Sequence, residues 1–511
     1  MEPPYESHNS AVEGKKLAHI QTLPTELLIR IFCFAIWSNS PWDSDIPFLG
    51  SITRVCHRWK DIAWDVPALW TKFDLSDVRA TEFMLEYSKD LRIVLCANGG
   101  NGEVVFAAAM HVLQTISDVA RVEALYLRAV PRVATRILSS MVAANVRNIE
   151  TLMISVVRGS VRHWDFELPS IMFSSIRMYH VSGLEFSSTE PFSFHNLEEL
   201  SIEGRHLCAS SKLCDMLSHM SNLQRLYLRN AANAPPPPQR YRSHISLPNL
   251  RILDVVDDIR VCDYISAAVQ MPCTASAAYS FHISANRATD LQYPAHFSSI
   301  VTSVDDRFKN APRKYCTLKI SDECILLQWY DASQAEVDWP MKKVDAPIAS
   351  VSMYDGAVSF WKSVLWITPD FCGAFDLLTI NELILECPDD TAFDDVASPT
   401  KDSLLTILQA LPAIPLVRAS GFYARILCTV LGSESPVERL PFNHIHLTHS
   451  PLLTRSDLLI FQKYLLDRST QGRRVDRVFI RRCGGVQPTD VRVLRHAASE
   501  LRIVDCFEDS D

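Results

Sequence analysis

Several chemistries are missing from this chain. No apolar run reaches the roughly 18 residues that a membrane-spanning helix needs, so no span is expected. The opening MEPPYESHNSAVEGKK has no apolar leader core. There is no Asn-x-Ser/Thr sequon, and the fourteen cysteines show no regular pairing and no Cys-x-x-Cys. Free, mostly buried thiols in a reducing compartment are expected, and with them a cytoplasmic or nuclear location. No block of five or more Lys/Arg occurs and the net charge is −9, so nucleic acid is not expected as a main partner. A local basic face inside the acidic chain remains open. The Gly-x-Ser-x-Gly elbow, His-Glu-x-x-His, Gly-x-x-x-x-Gly-Lys and the dinucleotide fingerprint are all absent. GGNG at 99–102 reads as a turn, since no strand–loop–helix phosphate pattern surrounds it. No catalysis, cofactor or metal is expected. In NHIHLTH, His444 and His446 share a strand face; zinc usually needs three or four ligands, and two surface histidines are the plainer reading.

What is present is apolar. Hydrophobic residues make up 48% and charged residues 21%, as in folded globular proteins. A length of 511 residues exceeds what one compact core supports, so several domains or a repeat array are expected. Residues 22–37, TLPTELLIRIFCFAIW, form one helix-length stretch that is apolar over most of its circumference. Such a helix must be buried on most sides. After SNSPWDSDIP, a second series runs Phe48, Leu49, Ile52, Val55, Cys56, Trp59, Ile62 and Ala63 at helical spacing. Pro67 stops it, and Leu69 and Trp70 follow as anchors. So few residues with such wide apolar faces do not satisfy themselves alone.

LPTELLIRIF followed by VCHRWKDIAWDVPALW resembles the F-box, over residues 20–72. Leu23, Pro24, Glu26, Leu27, Ile31, Phe32, Val55, Cys56, Trp59, Leu69 and Trp70 fall in the motif's order. The stretch from Trp37 to Pro47 is longer than the family's usual loop. The resemblance implies docking on the Skp-family adaptor of cullin–RING (SCF-type) ubiquitin ligases, with the motif residues other than Glu26, and Leu28 besides, as adaptor contacts. It also implies that the rest of the chain selects a target.

That remainder carries a short template, apolar-x-x-apolar-x-apolar. It occurs as VEALYL, IETLMI, IRMYHV, LEELSI, LQRLYL and LRILDV, centred on Leu125, Leu152, Tyr179, Leu200, Leu226 and Leu253. AYSFHI follows at Phe281. Helical stretches lie between, the clearest being EVVFAAAMHVLQTISDVA, VATRILSSMVAANV and SSKLCDMLSHMS. The pattern resembles the leucine-rich repeat family. Weaker matches continue at Leu318, Val351, Leu383, Ile445, Val478 and Val504, with strand-like CILLQWYD between two of them. A separate α/β domain from about residue 290 is the alternative. The expected fold is α/β: a short all-helical F-box module, then a right-handed leucine-rich-repeat-like solenoid with parallel strands on the concave face, as in fungal-type F-box proteins. The expected boundaries are a tail at 1–19, the F-box at 20–72, a connecting helix at 73–90, regular repeats at 91–290 and irregular ones at 291–511. The first strand is expected at LRIVLCA, residues 91–97. The asparagine or cysteine usual just past each strand is mostly missing; Asn230, Cys387 and Cys483 are the best candidates. APPPPQRYRS at 234–243 reads as a rim loop with polyproline character.

In such an array the residues between the template's apolar positions face outward. Tyr126 and Arg128, Met153 and Ser155, His180 and Ser182, Ser201 and Glu203, Tyr227 and Arg229, Asp254 and Val256 are then the expected target-binding strip. Three functions are open, and the first two are a substrate receptor of a ubiquitin ligase and a non-catalytic scaffold that delivers nothing. A hydrolase with dispersed residues is the third.

Overall fold

The structure is a computed structural model. It describes residues 23–37, 46–99, 102–116, 118–156, 174–183, 194–204, 208–233, 244–272, 274–283, 293–308, 314–321, 324–331, 349–355, 380–386, 404–405, 408, 414–432, 442–451 and 453–506. The expected tail, most of the Trp37–Pro47 loop, the polyproline loop and Cys387 lie outside these. The chain divides into two compact units, 1–208 and 209–511. No helix among the described residues is long and apolar enough to cross a membrane.

The first unit opens with α1 (Thr25–Trp37), α2 (Ile46–Val55), α3 (His57–Asp65) and a 3-10 turn, Pro67–Trp70. Pro67 suits the first position of that turn, where no N–H is required and φ is already set. Residues 72–74 form strand β1 and Val78–Tyr87 form α4. The Asp77 carboxylate starts α4 by accepting the N–H groups of Arg79 and Ala80 at 2.9 and 3.4 Å. The sheet therefore begins one strand earlier than the sequence suggested. β1 pairs in parallel with β2 (Ile93–Asn98), Phe73 opposite Leu95. β3 (Val122–Ala129), β4 (Thr151–Val156), β5 (Met178–Ser182) and β6 (Glu199–Glu203) extend the ladder, all parallel. Two helices, α5 (Gly102–Thr115) and α6 (Pro131–Ala143), lie on the segments between strands that read as helical. Gly102 packs so closely that a Cβ there would sit 2.4 Å from Val133 Cγ2, and Gly99 has φ +67°; the two ends of GGNG are set by contact and by turn geometry.

In the second unit α7 (Ser210–Leu217) precedes β7 (Arg225–Arg229), β8 (Ile252–Val256), α8 (Ile259–Ala268) and β9 (Ser276–Ile283), whose strands are again parallel neighbours. After α9 (Tyr293–Phe308) the order changes. β10 (Lys314–Ser321), β11 (Cys324–Asp331) and β12 (Ala349–Asp355) form an antiparallel meander. β12 pairs back onto β9, and β10 pairs onward with β13 (Ile380–Glu386). CILLQWYD is thus a strand running against the others, and the expected all-parallel array fails here. A two-residue link, 322–323, joins β10 to β11, too short for the crossover a parallel pair requires. Parallel order resumes through β14 (Leu416–Ser420), β15 (His444–Ser450), β16 (Val475–Cys483) and β17 (Ala498–Val504). Helices α10 (Phe422–Leu431), α11 (Arg455–Thr470) and α12 (Pro488–Ala497) lie between them.

Every template match falls on a strand. Where side chains are described, the apolar residues of the matches up to β16 form the core: Leu125, Leu127, Leu152, Ile154 and Val181 are fully buried in the first unit, as are Leu226, Val255, Val417, Leu447 and Ile480 in the second. The match expected at Val504 is out of phase: Val504 is exposed, and Leu501 and Ile503 stand beside Val478 and Ile480. Burying each such side chain stabilises the fold by about 1.5–3 kcal/mol before entropy is counted. β14 fits the same template through Ile414, Val417 and Ala419, with alanine as the last apolar residue.

Candidate functional site

The helical module divides its apolar residues sharply. Leu28, Phe32 and Ile36 occupy one stripe of α1 and are at most 1% exposed. Phe32 meets the Trp59 ring edge-on at 5.0 Å. Arg58 of α3 donates to the Leu23 carbonyl at 2.6 Å, fixing where α1 starts. Leu69 and Trp70 are also buried, and the Trp70 indole N–H donates to the Ala63 carbonyl at 2.8 Å. These residues are enclosed by the chain itself. Cys56, Leu23 and Trp59 are half-buried. The exposed set is Pro24, Leu27 (44%), Ile31 (48%), Phe34 (76%) and Val55 (52%). Leu27, Ile31 and Phe34 lie at spacings of four and three, so one side of α1 presents them together. Exposed large apolar side chains grouped in this way mark a surface that meets another molecule. Phe34, the most exposed of them, stands outside the residues expected to contact an adaptor.

Beyond the module, Trp64, Trp70, Phe83 and Tyr87 form one aromatic cluster, with ring centroids 4.5–5.6 Å apart. It ties α3 and the 3-10 turn to α4, and Phe73 of β1 is fully buried. The module and the first strands are therefore joined by core packing.

The outward strip is read in each unit by itself. In the first, Tyr126, Met153, His180 and Ser201 are side-by-side partners across β3–β6. Arg128, Ser155, Ser182 and Glu203 make the next row. Tyr126 packs on a small apolar floor of Val94, Cys96 and Ala124. Burial raises its phenol above the ordinary range, with Cys96 and Glu123 adding to the effect. In the second unit, Tyr227 stands opposite Asp254 and Arg229 opposite Val256. Arg229 reaches the Asp254 carboxylate at 3.7 Å. Burial raises the Asp254 carboxyl and Arg229 partly offsets it.

His446 departs from the surface reading. It is 3% exposed, with Phe479 edge-on at 5.7 Å. Burial, with Arg418, His444 and Arg477 nearby, pushes its imidazole down to about 3. Among the described residues no group of three or more His, Cys, Asp or Glu could hold a metal ion. Buried thiols are driven the same way by desolvation: Cys262 and Cys428 titrate well above the usual range and Cys483 is pushed up to about 12. Thiols held protonated are poor nucleophiles.

Residues 20–76 match the family model described as F-box-like. An F-box-like domain therefore occupies α1 to β1, where the exposed Leu27, Ile31 and Phe34 lie. No curated protein matches the chain.

Proposed function

We propose that this protein is a substrate-recognition subunit of a cullin–RING ubiquitin ligase of the SCF type. Its F-box-like domain docks on a Skp-family adaptor, and the strands beyond it bind a target protein. The observation that carries this reading is the split of α1: one stripe fills the domain's own core, while Leu27, Ile31 and Phe34 remain exposed. An apolar side left uncovered among the described residues suits a helix-packing interface. The protein performs no bond chemistry in this account. It supplies proximity, raising the local concentration of a target lysine beside a charged ubiquitin carrier. The working compartment is the cytoplasm or nucleus, where the adaptor and reduced thiols coexist. Capture with purified Skp-family adaptor tests the docking step. Leu27→Ala with Ile31→Ala should weaken capture at least about tenfold, while folding stability changes by no more than about 0.5 kcal/mol per surface site. Undiminished capture by that variant overturns the assignment.

A further inference from the structure

Two cysteines stand side by side where β16 and β17 end. The strands pair in parallel as far as Arg481 opposite Val504. Past that pair each chain turns through a residue of positive φ, Arg482 at +51° and Asp505 at +53°. Equal steps on both strands keep the register, so Cys483 lies beside Cys506. The contacts agree. The Cys506 Sγ accepts the backbone N–H of Cys483 at 3.5 Å. Each thiol also donates to the carbonyl two residues back, Cys483 to Arg481 at 3.4 Å and Cys506 to Val504 at 3.2 Å. The side chains thus leave equivalent positions in the same direction. On β15 the place opposite Cys483 belongs to Ser450, whose hydroxyl donates to the Gly421 carbonyl at 2.8 Å. Cys483 is one of the cysteines expected just past a strand, and Cys506 repeats its place one strand on.

Neighbouring parallel strands lie about 4.8 Å apart. That falls inside the Cα separation of roughly 4.4–6.8 Å that a disulfide bridges. Both thiols are free. Cys483 is buried and Cys506 half-buried, so a small oxidant reaches Cys506 first. Rotation about the Cys483 Cα–Cβ bond then brings the second sulfur onto it.

We infer that Cys483 and Cys506 are a site of reversible oxidation, closing to a disulfide that fastens β17 to β16. With hydrogen peroxide as the oxidant the step balances. The Cys506 thiol loses its proton and its sulfur attacks one peroxide oxygen. The O–O bond breaks, Cys506 becomes a sulfenic acid, and the departing hydroxide takes up the proton as water. The Cys483 sulfur then attacks the sulfenic sulfur. The S–S bond forms, the S–O bond breaks, and hydroxide leaves with the Cys483 proton as a second water. Two thiols are oxidised and one peroxide is reduced. The bond closes the loop 484–505, which holds α12 and β17. Burial raises both thiols, Cys483 to about 12. Little thiolate is present at neutral pH, so closure is slow. The same thiols leave slowly when a reductant attacks, so the bond persists once made. None of this depends on the receptor reading above.

The test uses the full chain, purified in its reduced form and treated with hydrogen peroxide. Open thiols are blocked with iodoacetamide and the peptides mapped by mass spectrometry. A Cys483–Cys506 link within one chain should appear, lighter than the reduced pair by two hydrogens, and dithiothreitol should remove it. Hydrogen exchange at the β17 amides should slow at least about tenfold in the oxidised protein, since a closed loop resists local opening. Cys506→Ser should abolish both the link and the slowing. Oxidised and reduced parent are compared directly, so the test stands even where that variant misfolds. A link from Cys483 to Cys428 instead overturns the inference; burial, Asp457 and Cys483 all raise that thiol. So does a link between two chains, sulfinic or sulfonic acid at Cys506 without a link, or unchanged exchange in β17.

Discussion

Asp257 and His446 are two buried groups whose charge the fold opposes, and they pull stability in opposite directions with pH. Asp257 accepts the N–H of Ala231 at 2.7 Å and of Ala232 at 3.2 Å, and also that of Asp258 at 2.7 Å. Burial nevertheless raises its carboxyl to about 6 from 3.8. A raised carboxyl favours the folded state at low pH, and that contribution is lost as pH climbs through about 6. Asp257→Ala should therefore cost about 1–3 kcal/mol for the amides it bonds, and the cost should shrink between about pH 4 and pH 6. Denaturant melts across that range check it. His446 has the opposite sign. Its folded value lies near 3 and its unfolded value at 6.5, so the unfolded chain takes up the proton first. Stability is whole above about pH 6.5 and falls as pH drops toward 3. His446→Gln should lose less stability than the parent between pH 7 and 5, by about 2 kcal/mol, because that window spans about 1.5 pH units below the unfolded value. Equal pH slopes in the two proteins count against this account. Asp257 also shows what residue types alone conceal. Asn230 was a candidate for the asparagine usual just past a strand, yet it is exposed at φ +49°, and the Asp257 side chain is what joins the two loops. A carboxylate and an amide both reach backbone donors, and only geometry says which one does.

At the scale of elements, the aromatic cluster joins the F-box-like domain to the first strands. Trp70 is 5% exposed and lies within 5.3–5.6 Å of Trp64, Phe83 and Tyr87. Trp70→Ala should cost about 3–5 kcal/mol, as large-to-small changes in a packed core do. Hydrogen exchange should then quicken in α3 and α4 while β4 and β5 keep their protection. Uniform quickening through the first unit argues against a local cluster. Strand positions were legible here because each pairs a buried apolar triplet with polar neighbours, a pattern that the core imposes directly. Strand direction was not legible. β11 carries the same apolar content as its neighbours, and only its two-residue link to β10 forces it to run backward. The inward and outward sides of α1 were equally hidden. Both are apolar, and only packing against Trp59 separates Phe32 from Ile31.

For the whole molecule, the boundary between the F-box-like domain and the strands decides how function should be probed. β1 lies within the F-box-like match, yet it pairs with β2 and buries Phe73 completely. Removing residues 1–76 would expose the edge of β2 and uncover Phe83 and Tyr87. Such a truncation should aggregate or melt well below the parent, since an unpaired strand edge invites association. The Leu27→Ala, Ile31→Ala variant should stay folded and lose adaptor alone. Affinity capture compared between these two proteins checks the point: the point variant should retain target proteins, and the truncation should lose them with its fold.

The sequence by itself determined the helical motif at residues 20–72, the recurring strand triplets and the helices between them. Periodicity is written locally, and burial enforces it residue by residue. It also carried the absence of the tested catalytic motifs, since those depend on spacing alone. Tertiary structure decided the rest. It chose which apolar residues of α1 fill the core and which remain exposed. It turned β11 around, buried His446, and set Cys483 beside Cys506. Those cysteines are separated in the chain by α12, and no Cys-x-x-Cys announces them. Parallel pairing brings successive strands to about 4.8 Å, and that spacing turns residues distant in sequence into neighbours.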